Sequence, residues 1–166
     1  GTSNAVNLTD GLDGLSGGLS AISFLAYGLI SWGSYWIQGY QDVGIFCFIL
    51  VGCIMGFLVY NSHPAKVFMG DTGSMFLGGM VVALVFMLEY PIILLLTGVV
   101  YLCEAMSVVI QVIYFKKTGK RLFKMSPIHH HFELSKWSEN KIDIVFSLVG
   151  AIGGLLSMVL IVLSNL

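Results

Sequence analysis

Residues 43–60 read VGIFCFILVGCIMGFLVY, an apolar run without a single charged side chain. A helix that crosses a bilayer needs about 20 predominantly apolar residues, and this run is close to that length. The whole chain is 57% hydrophobic and only 10% charged, whereas soluble domains carry about 25% charged residues. The sequence therefore predicts an integral membrane protein rather than a soluble domain.

Four further apolar runs lie on either side of this one. Together with 43–60, we expect spanning helices at residues 15–37, 74–88, 92–115 and 142–163. The run 74–88 is short and would have to use its ends or a thinned bilayer. The predicted fold class is all-α, a polytopic transmembrane helical bundle of about five spanning helices that forms a single integral-membrane domain over residues 1–166.

The polar segments between the runs predict the topology. Residues 1–14, 61–73 and 116–141 fall on one side of the bilayer as loops, and the short turns 38–42 and 89–91 fall on the other. All eight Lys and Arg residues lie in the three longer loops: Lys66, Lys116, Lys117, Lys120, Arg121, Lys124, Lys136 and Lys141. Because loops of membrane proteins that are rich in Lys and Arg remain on the cytoplasmic side, we expect these three loops to be cytoplasmic.

Asp10 and Asp13 stand among glycines just before the first predicted span. Glycine lets backbone N–H groups approach a ligand closely, and a helix N-terminus attracts phosphate. A divalent ion such as Mg²⁺ would relieve the repulsion between the two carboxylates and bind phosphate as well. Helix capping and turn formation use the same residue types, so this segment alone leaves both interpretations open.

Asp71 lies at the predicted N-terminus of the third span, where the helix dipole favours an ionised carboxylate. A metal site needs such an acid, although Asp is also a common capping residue. Two Asp- and Gly-rich loops on one predicted face favour a shared site over two separate caps.

Three consecutive histidines occupy positions 129–131. In an extended loop, His129 and His131 would share one side and could face one site. Metal ligation, proton transfer and phosphate contact are all open to histidine. Since neutral imidazole prefers zinc-like metals to Mg²⁺, phosphate contact is the expected role. The cations that precede the histidines fit either an anionic ligand or the membrane surface: Lys120, Arg121 and Lys124.

Glu104 lies near the middle of the fourth predicted span, and Gln111 lies two turns closer to the cytoplasmic end. An ionisable residue at that depth indicates function, but a hydrogen bond between helices is an equal alternative.

Three strings together resemble the phospho-N-acetylmuramoyl-pentapeptide transferase family of the polyprenyl-phosphate N-acetylhexosamine-1-phosphate transferase superfamily. They are NAVNLTDGLDGL at 4–15, NSHPAKVFMGDTGS at 61–74 and MSPIHHHFEL at 125–134. The triple-histidine string is the most specific, because related transferases share only the Asp loops. The resemblance covers essentially the whole chain.

The resemblance implies an Mg²⁺-dependent enzyme of the bacterial plasma membrane with its active site on the cytoplasmic face. Its substrates would be UDP-N-acetylmuramoyl-pentapeptide and undecaprenyl phosphate, and its products lipid I and UMP, in peptidoglycan synthesis. The implied partners are these substrates, the lipid bilayer and a second copy in a homodimer, with no nucleic acid.

Residue roles follow from the same resemblance. The implied catalytic residues are Asp10, Asp13, Asp71 and His129, with Asp71 as the metal ligand. The implied substrate-binding residues are Asn7, Gly11, Leu12, Asn61, Phe68, Ser74, Gln111, Ser126, His130 and His131. Asp13 and the Gly11–Leu12 backbone would lie near the uracil, and Phe68 would stack on it.

One departure from the family is the absence of an adjacent Asp pair. Family members carry that pair in an earlier loop and have about twice as many helices, so we expect this chain to correspond to their C-terminal half. A UDP-GlcNAc:polyprenyl-phosphate GlcNAc-1-phosphate transferase is an alternative, and a membrane transporter is an alternative of another class. Direct attack by the lipid phosphate and prior attack by a carboxylate both remain open.

Overall fold

The computed structural model of the chain describes residues 1–33 and 39–164. Within these ranges the regular structure is helical throughout, which confirms the predicted all-α class. The helices are α1 (Thr2–Thr9), α2 (Leu15–Trp32), α3 (Gln41–Asn61), α4 (Gly70–Met87), α5 (Ile93–Thr97), α6 (Val99–Thr118), α7 (Ile128–Glu133) and α8 (Glu139–Ser164).

Five of these helices, α2, α3, α4, α6 and α8, are long and apolar enough to cross a membrane. This confirms the predicted number of spans and the polytopic membrane architecture. The end of the first predicted span falls on residues 34–38, outside the described residues. The third span is longer than predicted, because α4 begins at Gly70 and has 18 residues. At about 1.5 Å per residue, α4 nearly matches the hydrocarbon core.

The prediction of one helix over 92–115 is wrong, because the helix is interrupted at Gly98, between α5 and α6. The Thr97 hydroxyl bonds back to the Ile93 carbonyl at 3.0 Å, and such bonds bend helices. Glycine at the next position has a low helix propensity. The run is apolar on both sides of the break, so hydropathy alone could not locate it.

Two predicted loops also contain helices. Residues 2–9 form α1 although the prediction for 1–14 was a loop, and residues 128–133 form α7 inside the predicted loop 116–141. Ala5, Val6 and Thr9 of α1 are buried. Gly78 of α4 allows this close packing, since a Cβ there would collide with the backbone of Ser3. Tertiary packing stabilises this short helix, whose polar sequence resembles a loop.

Helix α2 is the centre of the bundle. It packs on α3, α4 and α8, and 72% of its residues are buried, against 22–33% for the other spans. Two of its polar side chains bond to later helices: Ser20 Oγ lies 2.9 Å from Tyr101 Oη, and Tyr27 Oη lies 2.7 Å from Thr97 Oγ1. The other four spans expose large apolar faces, as a lipid-facing helix does.

The polar segments meet at one end of the bundle, which we call the loop face. It comprises residues 7–14, 61–73 and 119–139, whereas the start of α1 lies farther along the bundle, beside Leu94 and Gly98. The backbone N–H of Gly14 donates to Asn61 Oδ1 at 3.2 Å, which joins the start of α2 to the end of α3. Gly14 has a φ of +81°, a conformation that favours glycine.

Candidate active site

Asp71 lies in the first turn of α4, where the sequence predicted it. Its Oδ1 accepts a hydrogen bond from Asn7 Nδ2 at 3.1 Å, and the same amide group donates to Ser74 Oγ at 2.9 Å. Asn7 of α1 therefore fixes the exposed carboxylate of Asp71 at the N-terminus of α4. The contact joins two of the three sequence strings.

Asp10 follows α1 and is partly buried beside Asp71. Burial and, to a smaller extent, the negative charge of Asp71 together raise the pKa of Asp10 to about 6. The two carboxylates are thus close enough to repel each other, and a cation between them would remove the repulsion. Carboxylate oxygens are the ligands that Mg²⁺ prefers, so these residues fit that ion.

Asp13 belongs to a different cluster. Its Oδ2 accepts from the Ala65 backbone N–H at 2.9 Å and lies 3.1 Å from His63 Nδ1. The same nitrogen lies 3.1 Å from Glu139 Oε2 at the start of α8. Within residues 1–33 and 39–164, this is the only group of three metal-ligating side chains with donor atoms within 4.8 Å of one another. It excludes Asp71, and its imidazole favours a transition metal over Mg²⁺.

His63 and Glu139 were not among the predicted site residues. Both lie in polar segments on the predicted loop side, which is the only signal that the sequence offers for them. Their meeting with Asp13 depends on how α2, α3 and α8 pack, and no spacing in the sequence indicates it.

Asn61 and Phe68 differ in exposure. Asn61 is buried, and besides accepting from Gly14 it donates from Nδ2 to the Val67 carbonyl at 2.9 Å. It therefore supports both the 10–14 and the 61–69 segments. Phe68 is 75% exposed, so its ring is available to stack on a ligand.

The three histidines take three different environments. His129 is fully buried, with Nδ1 3.2 Å from Oε2 of the equally buried Glu104. The His130 ring lies 4.1 Å from the His129 ring, and its Nδ1 bonds to Glu133. His131 Nδ1 accepts from the Lys124 backbone N–H at 3.1 Å. The idea that His129 and His131 share one side is wrong, because in α7 they are about 200° apart.

Gln111 and Ser126 line a groove of about 440 Å³ beside the C-terminal end of α6, together with Lys116 and Arg121. The Gln111 side chain is already engaged: Oε1 accepts from the backbone N–H of Phe123 at 2.9 Å, and Nε2 donates to its carbonyl at 3.1 Å. Gln111 thus anchors the loop that follows α6 while forming one wall of the groove.

Comparison with known proteins agrees with the resemblance carried by the three strings. A phospho-N-acetylmuramoyl-pentapeptide-transferase of Limosilactobacillus reuteri (strain DSM 20016) is 53% identical over 98% of this chain and 50% of its own length. Those of Staphylococcus carnosus (strain TM300) and Geobacillus sp. (strain WCH70) are 54% and 52% identical, each over 95% of this chain and 48% of its own length. The chain spans about half the length of the curated relatives it matches.

The model of glycosyl transferase family 4 matches residues 1–89. Because that match covers more than half of the chain, and because the site geometry and the relatives agree with it, the chain belongs to glycosyl transferase family 4.

Proposed function

We propose that the protein transfers phospho-N-acetylmuramoyl-pentapeptide from its UDP-linked precursor to undecaprenyl phosphate, producing lipid I and UMP for peptidoglycan synthesis. The observation that supports this most strongly is the meeting of the three strings at the loop face. Asn7 bonds to Asp71, Gly14 bonds to Asn61, and the Gly11 backbone packs against the His129 ring. The names of the relatives supply the transferred group, phospho-N-acetylmuramoyl-pentapeptide.

The proposed metal ligand is Asp71, with Asp10 beside it. Asn7 holds the Asp71 carboxylate in place, so the ligand is oriented before any ion arrives. Bound Mg²⁺ would neutralise the charge of the pyrophosphate. Ser74, in the same helical turn, keeps its hydroxyl directed at the Asn7 amide and the Gly70 carbonyl.

The proposed nucleotide contacts lie on both sides of these acids. Asp13, with the Gly11–Leu12 backbone, would bind the uracil edge, and the exposed Phe68 ring would stack on its face. The proposed phosphate and nucleoside contacts are Asn61, Gln111, Ser126, His130 and His131, of which Asn61, Gln111 and His131 also hold loop backbone in place.

Phosphoryl transfer of this kind depends more on positioning and charge neutralisation than on covalent work by the protein. An oxygen of the lipid phosphate forms the new bond to the sugar-linked phosphorus, and the bond to UMP breaks. The buried anchors at the loop face, Asn61 and Gln111, serve the positioning.

We also propose that the loop face is cytoplasmic, that residues 1–166 act as one integral-membrane domain, and that the protein works as a homodimer. The first point is supported by the eight Lys and Arg residues, which lie at that end of the spans.

The test is UMP release by the full-length protein in nanodiscs with undecaprenyl phosphate and Mg²⁺. We expect release from UDP-N-acetylmuramoyl-pentapeptide and none from UDP-GlcNAc, with loss of release on chelation of the metal. Preference for UDP-GlcNAc would replace the proposal with the GlcNAc-1-phosphate transferase.

The transporter alternative predicts substrate uptake by proteoliposomes without nucleotide, which we do not expect. Among the described residues, the interruption between α5 and α6 resembles the discontinuous helices of a transporter site. The hydroxyl of Thr97 beside this interruption is bonded to Tyr27 of α2.

A further inference from the structure

Glu104 and His129 form a buried pair, and of the two only Glu104 has no role assigned by the resemblance. Glu104 comes from α6 and His129 from α7, and the side chains of both are 0% exposed. Glu104 Oε2 lies 3.2 Å from His129 Nδ1, within ion-pair distance. A carboxylate at this depth is costly unless a partner compensates its charge, and His129 is placed to do so.

The remaining polar atoms of the pair are not engaged elsewhere. Among the described residues, neither oxygen of Glu104 and neither ring nitrogen of His129 has an aligned hydrogen-bond partner. Nδ1 and Oε2 therefore lie at ion-pair distance but without the alignment of a hydrogen bond. The pair is not part of a larger structural network that would account for its burial, which is unusual for groups this polar.

The other edge of the His129 ring faces the acidic segment. A Cβ added at Gly11 would overlap His129 Nε2 and approach Cε1 to 2.9 Å. The imidazole therefore occupies the space that a side chain at position 11 would fill. Nε2 is directed at the backbone between Asp10 and Asp13, while Nδ1 is directed at Glu104.

We propose that Glu104 is a positioning residue that holds the His129 ring against the Gly11 backbone, and so keeps the Asp10–Asp13 segment in the geometry that the transfer reaction needs. Which nitrogen of a histidine carries the proton is set by the partner of the other nitrogen. The Glu104 carboxylate beside Nδ1 favours the tautomer with the proton on that nitrogen, and this fixes the orientation of the ring toward Gly11. A buried acid orients the catalytic histidine of serine proteases in the same way.

The charged and titratable groups that face His129 are few. Among the described residues, those in contact with the ring are Glu104 from α6 and His130 from α7, and Asp10 is the chain neighbour of Gly11, on which the ring packs. The inference rests on the proposed function for the role of His129, but the pairing itself can be tested without it.

The kinetic test is Glu104→Gln in the full-length protein, because glutamine keeps the shape and removes the charge. We expect kcat for UMP release to fall about 100-fold, as for a misplaced catalytic group, with KM for the sugar nucleotide little changed and the pH dependence of kcat altered. Glu104→Asp should recover part of the rate. The matched control is Ser157→Ala, a fully buried polar residue on α8, which should behave like the parent protein.

A double substitution separates positioning from general damage. If Glu104 acts only through His129, then Glu104→Gln combined with His129→Gln should be no slower than His129→Gln alone. Rate losses that multiply in the double variant would overturn the proposal.

The second test needs no activity. In protein with ¹⁵N-labelled histidine, the His129 signal is identified by its loss in His129→Gln, and its chemical shifts report the protonation of each ring nitrogen. We expect Nδ1 to be protonated in the parent and this preference to be lost in Glu104→Gln. A spectrum unchanged by Glu104→Gln overturns the pairing, and a changed spectrum with unchanged kinetics overturns the positioning role.

These readouts fail separately. A parent protein that releases no UMP would refute the proposed function, and the NMR comparison would still decide the pairing. If Glu104→Gln lowers the unfolding midpoint so far that it cannot be assayed, the NMR and kinetic comparisons are made with Glu104→Met, an apolar side chain of similar length without the charge, for which parent-like rate and spectrum would overturn the proposal.

Discussion

Replacing Gly11 with Ala should damage the site through one defined collision. The added Cβ would overlap His129 Nε2 and lie 2.9 Å from Cε1. Gly11 does not have a positive φ, so the backbone accepts alanine and the effect is purely steric. His129 is fully buried, and in a close-packed interior the ring or the 10–13 segment must move by about 1 Å.

The size of the effect follows from that movement. Overpacking of this kind costs about 1–3 kcal/mol, and a 1 Å misplacement near a reacting centre costs about 100-fold in rate. Thermal unfolding in detergent measures the first quantity and UMP release the second. The control is Gly56→Ala on α3, where a Cβ meets nothing within 4 Å. Parent-like melting and turnover in Gly11→Ala would refute the packing of His129 on Gly11.

Three further predictions concern the acids and their supports. Asp71→Asn should abolish Mg²⁺-dependent UMP release and any rise of the unfolding midpoint on adding Mg²⁺; near-normal release would contradict the metal assignment. Since the pKa of Asp10 is raised from 3.8 to about 6 in the folded protein, the native state binds this proton more tightly than the unfolded state. The stabilisation from this proton is complete below about pH 4 and is lost as the pH rises through 6, where the buried carboxyl must ionise. In metal-free protein, Asp10→Asn should therefore have a higher thermal unfolding midpoint than the parent when both are measured above pH 6, and the same midpoint at pH 4. An equal effect at both pH values would contradict this. Asn61→Ala should lower the unfolding free energy by about 1–3 kcal/mol, because it leaves the Gly14 N–H unpaired. Asn61→Asp keeps the acceptor for Gly14 but loses the bond to Val67, so its stability should lie between that of the parent and that of Asn61→Ala. An unchanged unfolding midpoint in Asn61→Ala would disprove the anchoring role.

The sequence predicted the parts of the fold that depend on one-dimensional signals. Apolar length located the five spans, and the glycine-rich segment before Leu15 marked the start of α2. Asp71 falls in the first turn of α4 as predicted, because a carboxylate at a helix start has a local physical cause.

Features that depend on packing were missed. Helix α1 forms because α4 presents Gly78 to it, and the polar sequence of α1 gives no apolar signal. The separation of His129 from His131 follows from α7, which is too short to be recognised by periodicity. The contact of Asp13 with His63 and Glu139 joins three distant segments, and only the assembled bundle brings them together.

The most buried span is also the least apolar of the five. The mean hydropathy of α2 is 1.3, whereas that of α3 is 2.6 and that of α8 is 2.5. Ser20 and Tyr27 are satisfied by Tyr101 and Thr97, which come from later in the chain. Until those partners are in place, the hydroxyl groups of Ser20 and Tyr27 lack these bonds between helices within the hydrocarbon. The stability of α2 in the bilayer therefore depends on its neighbours, because the more apolar helices α3 and α8, which follow it in the chain, pack around it.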